Sequence, residues 1–98
     1  MIVSTGNICE QYRTIDSIFH LVQMKPGGFM GSGGIDLQQG FQQAKAEMAE
    51  IARSMGGNAI INCDFELRVA VTQFANAQVF ELFAFGTVVE ITSGADAL

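Results

Sequence analysis

Two thiols, one imidazole and one glycine-rich turn are the groups in this chain whose types could do chemistry. Cys63 lies in RSMGGNAIINCDFELRV, Arg53 to Val69, just after a Gly pair and beside Asp64. A thiolate is the best soft-metal ligand available here, and a free thiol reacts when its pKa is lowered. Strand parity argues instead for a space-filling role, the usual fate of a free cysteine, because Cys63 alternates with Ile61, Phe65 and Leu67. His20 is the sole histidine. With no second His and no CxxC at ligand spacing, it does not close a zinc site within one chain. A soft or transition metal at Cys63, His20 or Cys9 therefore needs ligands from further copies of the chain. Met24, Met30, Met48 and Met55 read as core filling rather than a thioether set.

The glycine-rich segment GGFMGSGGID offers different chemistry. A strand, then Gly28, Gly31 and Gly33, then a helix is the order that cradles a pyrophosphate, with backbone N–H groups at the helix N-terminus as donors. It is similar to the phosphate-binding turn of acetyltransferases that use coenzyme A. Gly31, Ser32, Gly33 and Gly34 would line such an anion site. Against it, Gly28 stands where that motif prefers Gln or Arg, Asp36 brings negative charge beside the anion, and the chain is too short for the acetyltransferase fold. Nucleophilic catalysis has less support still: one His, no Ser in an elbow context and scattered carboxylates assemble no nucleophile, base and orienting group within one chain. The enzyme or carrier reading with an anionic cofactor is therefore second to a binding or assembly module without catalytic activity.

These groups must be positioned by few elements. Met1 to Thr5 suits a short strand, and Tyr12 to Met24 a longer one carrying Ile15, Ile18, Phe19, Leu21 and Val22 on two partly apolar faces. KPGGFMGSGG must be a loop, since Gly is costly inside regular structure. Asp36 to Met55 reads as the one helix, with Leu37, Phe41, Ala44, Met48, Ile51 and Met55 on one face, Asp36 as N-cap and Gln39 completing a capping box. Gly40 costs about 0.8–1 kcal/mol there unless something packs closely against it. Gly56 and Gly57 supply the C-terminal cap. From Ala59 the period becomes two, placing Ala59, Ile61, Cys63, Phe65, Leu67, Val69 and Val71 on one face and Asn62, Asp64, Glu66 and Arg68 on the other. TQFANAQ turns the chain into a last strand, Val79 to Ile91, apolar on both faces. Residues 92–98 read as a frayed tail of the single domain 1–98.

The pattern strand, strand, helix, strand, strand predicts an α+β unit of two layers, one helix on a small antiparallel sheet. One helix covers only one face of such a sheet, so a strand apolar on both sides needs a second cover, and the cheapest is another copy. Composition agrees: the 98 residues are 49% apolar and only 15% charged, a surface poor in charge for a small monomer. A homo-oligomer is expected. Ten acidic against five basic residues, net charge −5, exclude the basic footprint that nucleic acid requires. No apolar run approaches the length of a membrane span, and the N-terminus lacks a basic leader and apolar core, so a soluble cytoplasmic protein is expected.

GGNAIINCDFEL resembles the signature of the YbjQ-like proteins, in which a helix ends in Gly-Ala-Asn-Ala and enters an apolar strand that later carries an acidic residue. Gly56, Asn58, Ala59, Ile60, Ile61 and Asp64 fit that pattern. EQYRTI is similar to the family's Glu-Gly-Tyr start to its long strand, and FAFGTVVEI to its closing Ala-Ser-Gly-Thr-Ala-Val strand. Gln11 and Phe19 stand where the family usually has Gly, and the segment before the helix is shorter and richer in glycine. The resemblance implies a dodecin-like subunit with a short extra N-terminal strand, assembled as a ring, commonly of five, with heavy-metal binding as the family's usual description and no established reaction.

Overall fold

The computed structural model describes residues 1–24, 37–71 and 78–92. Strand β1 (Ile2–Val3) leads to β2 (Tyr12–Met24), helix α1 (Leu37–Ser54), β3 (Ala59–Val71) and β4 (Gln78–Ile91). The sheet order is β1-β3-β4-β2. Strand β4 pairs antiparallel with both β2 and β3, as expected, and β1 joins β3 in parallel, so the sheet is mixed. That parallel contact is possible because β2 and α1 intervene between β1 and β3 and bring the chain back in the same direction. The glycine-rich segment, the turn at 72–77 and the tail at 93–98 lie outside the described residues.

Helix α1 packs on one face of the sheet. Its buried side is Gly40, Ala44, Met48, Ala49 and Ala52, a narrower and smaller-residue stripe than the periodicity predicts. Leu37 is exposed, while Phe41 and Met55 flank the core and Phe41 meets Phe65 edge-on with ring centroids 5.2 Å apart. Small residues let the helix axis approach the strands, so Gly and Ala, not Leu and Ile, take the central line. Gly40 shows why: a Cβ there would fall onto the Met24 side chain. Close packing by Met24 offsets the cost of glycine in a helix. The helix ends as the Gly pair predicts. Gly56 has φ +90°, its N–H donates to the Arg53 carbonyl at 3.0 Å, and the Gly57 N–H donates to the Ala52 carbonyl at 2.9 Å, the paired bonds of a Schellman cap.

The alternation along β3 is broken. Asn62 and Cys63 together oppose the single residue Gly86, since Ile61 pairs with Thr87 and Asp64 with Phe85. Asn62 absorbs the extra residue with φ +49°, a conformation Asn tolerates better than most residues. The consequence corrects the sequence parity: Cys63 and Phe65 face the helix, but Ala59 and Ile61 lie on the opposite face with Val89, Ile8, Tyr12 and Ile91. The helix-side core is built by Ile18, Val22, Met48, Ile60, Leu82 and Val88. On β4 the alternation holds, with Phe80, Leu82, Ala84 and Val88 toward the helix.

Candidate functional site

Cys63 is fixed by the bulge on the helix side, where it is 2% exposed. Burial pushes its thiol pKa up, the Asp64 charge adds to this, and Lys45 opposes it. A thiol held protonated in apolar surroundings is neither a nucleophile nor a ready metal ligand. Asp64 points to solvent on the other side of the strand and accepts a hydrogen bond from the Phe65 N–H at 2.8 Å. Cys9 is exposed, between β1 and β2, and both cysteines are free thiols.

His20 lies on the helix-covered side of β2, in register with Ala84. There Nε2 lies 2.9 Å from Glu47 Oε2 on α1, and Gln43 Nε2 donates to the other Glu47 oxygen at 2.9 Å. The hydrogen bonds from Gln43 and then from His20 hold the Glu47 carboxyl below the usual glutamate range. Glu47 and Gln43 are absent from the sequence reading of the site. The available signal was His20 itself: a polar side chain in step with Ile18, Val22 and Met24 needs a partner when that side is covered. The partner's identity depends on the rotation of α1 over the sheet, which periodicity alone misplaced.

The three metal candidates are thus not brought into one ligand set. Among the described residues no three His, Cys, Asp or Glu side chains form a group that could hold a metal ion. Gly31 to Gly34, the candidate anion site, lie outside the described residues. An open hollow of about 400 Å³ lies along α1, lined by Ala46, Glu47, Ala49, Glu50 and Arg53.

The face of the sheet turned away from the helix is of another kind. Phe19 and Leu21 on β2 sit opposite Phe85 and Phe83 on β4, and β3 places Asp64 and Glu66 on the far side of that aromatic pair. The Phe19 and Phe85 rings are 6.0 Å apart. The Arg68 guanidinium lies 4.4 Å from the Phe83 ring centroid and 4.0 Å from Glu81. Phe19 remains 75% exposed, and Leu21 43%. Among the described residues no helix is long and apolar enough to cross a membrane.

One helix on a four-stranded mixed sheet, with two strands before it and two after, is an α+β fold. A solved structure of a Pediococcus pentosaceus protein of unknown function, of the DUF74 family, shares this fold with a TM-score of 0.72 at 20% identity, covering 93% of this chain and 97% of that one. The family model YbjQ_1, described as "Putative heavy-metal-binding", matches residues 1–92. The chain belongs to that family. A search of curated proteins finds no match.

Proposed function

We propose that this protein is a homo-oligomeric binding and assembly module, in which further copies cover the apolar surface that one helix leaves open. The observation that carries this reading is the exposure of Phe19, 75% on a sheet face it shares with Leu21, Phe83 and Phe85. A contiguous apolar patch left in water marks a surface for association, and Phe19 with its neighbour Leu21 forms the exposed part of one. Native mass spectrometry tests the reading directly. The wild type is expected as an oligomer, and Phe19→Glu as smaller species with an unchanged circular dichroism spectrum, because the side chain is mostly exposed within one chain. A monomeric wild type overturns it.

A second reading, favoured by the His20–Glu47 geometry, is a transition-metal ion held between subunits. A carboxylate on one ring nitrogen is the arrangement that orients a histidine so that its other nitrogen can ligate. His20 is then the ligand, Glu47 the positioning residue, and the missing ligands come from a neighbouring copy. The buried Cys63 is the weakest of the three sequence candidates and Cys9 the exposed one. The same spectra with added zinc test this: retained metal in the wild-type oligomer, lost in His20→Ala with the oligomer intact, supports it. Equal retention in both removes His20 from the site.

A further inference from the structure

On the sheet face turned away from the helix, three adjacent strands set their side chains in rows. Strand register places Asp64 beside Phe85 and Phe85 beside Phe19, then Glu66 beside Phe83 and Phe83 beside Leu21, then Arg68 beside Glu81 and Glu81 beside Gln23. In the first two rows a carboxylate, a phenyl ring and an exposed apolar side chain stand in line. The third row supplies a cation from within the chain: the Arg68 guanidinium lies over the Phe83 ring, 4.4 Å from its centroid. A flat cation is attracted to the face of such a ring by the ring quadrupole. The first row has no cation of its own. The ion pairs among the described residues are Arg13 with Glu90, His20 with Glu47 and Arg68 with Glu81, which leaves the exposed Asp64 and Glu66 without one. Beside them Phe85 lies 6.0 Å from Phe19, the two rings tilted by 34°.

The size of the patch narrows what it can take. Side chains on one face recur about every 6.8 Å along a strand and strands lie about 4.8 Å apart, so two rows across three strands cover roughly 7 by 10 Å. That is the outline of a small fused-ring system, far below what a stable protein interface buries. The sign of the charge is set as well, because the chain carries ten acidic against five basic residues and the carboxylates border the rings directly. Resting on the binding half of the reading above, we propose that this face binds a flat organic cation, its ring system lying on Phe19 and Phe85 and its charge turned toward Asp64 and Glu66. His20 faces α1, where it meets Glu47, and takes no part. Each chain carries the whole site, so ligand uptake and assembly can fail separately.

The probe is proflavine, a planar tricyclic cation, titrated into the protein and followed by fluorescence anisotropy, with anilinonaphthalene sulfonate as an apolar anion for comparison. Proflavine is expected to bind the wild type, and to bind the double variant Asp64→Asn, Glu66→Gln about tenfold more weakly. Both changes keep side-chain shape, and the first keeps an oxygen for the Phe65 N–H. Phe19→Leu, which stays apolar but loses the ring, is expected to weaken binding about fivefold. Glu10→Gln with Glu50→Gln removes the same charge elsewhere and should change the affinity by less than about twofold. Equal weakening by the two charge-removing pairs would show attraction to net charge alone and overturn the proposal, as would tighter binding of the anion than of proflavine. Native mass spectra of the same samples complete the test. An oligomer that takes up no proflavine overturns the ligand class and leaves the assembly reading in place, whereas a monomer that binds it with the expected losses ends the assembly reading and supports the site.

Discussion

Gly86→Val is expected to lower stability by about 3 kcal/mol, the upper part of the range for overpacking, and so to lower Tm by roughly 12–24 °C for a domain of this size. The cause is the bulge on β3. With Asn62 and Cys63 both opposing Gly86, β3 is pressed against β4, and a Cβ at 86 would stand 2.9 Å from Ile60 Cγ2, 3.2 Å from the Cys63 Cα and 3.3 Å from the Ile61 carbonyl oxygen. Two of those three atoms are backbone and cannot rotate away. Ile60→Ala should therefore rescue Gly86→Ala only in part. Gly6→Ala is the control: no atom lies within 4 Å of its added Cβ, and its effect should stay within about 0.5 kcal/mol. Urea denaturation followed by circular dichroism reads all four variants. A wild-type midpoint for Gly86→Val would mean that β3 does not approach β4 as described.

Gly86 also marks where the sequence ceased to be legible. A lone glycine inside an otherwise apolar strand often signals a bulge or close backbone approach, but nothing local says which residue of the partner strand is doubled. Regular alternation was therefore carried through Asn62, and it misplaced Ala59 and Ile61 while leaving Cys63 and Phe65 correctly on the helix side. The helix shows the same limit. Its span was readable from the period of its apolar residues and from Gly56 and Gly57, yet its rotation was not, because Gly40, Ala49 and Ala52 are buried for their smallness rather than their hydrophobicity. Since rotation sets which helix residue meets His20, the pairing with Glu47 was hidden although both residues were in view. Strand β2 was read with its observed bounds because its apolar residues and the glycine-rich segment after it are local signals. The parallel contact of β1 with β3 depends on chain return across the sheet, which no local pattern encodes.

Leu82→Ala is expected to cost about 3 kcal/mol. Leu82 is fully buried at the middle of the central strand, between Val22 on β2 and Leu67 on β3, so the cavity left behind is walled by three strands and the helix-side core and cannot collapse easily. A loss below about 1 kcal/mol would be too small for a deletion at a closed core position and would refute that placement. Leu67 provides the comparison that ties stability to assembly. It faces the same side as Leu82 from the neighbouring strand but is 41% exposed in one chain, and truncating a partly exposed side chain in an isolated subunit should cost roughly 1 kcal/mol. If another copy covers Leu67, the cost of Leu67→Ala acquires a second part, lost subunit contact, which grows with protein concentration by mass action. The cost of Leu82→Ala arises within the chain and has no such dependence. Unfolding midpoints of the two variants and the wild type at low and high protein concentration therefore separate the core from the edge: the Leu82→Ala deficit should stay constant and the Leu67→Ala deficit should widen. Parallel behaviour of the two deficits would show that Leu67 gains nothing from a neighbour.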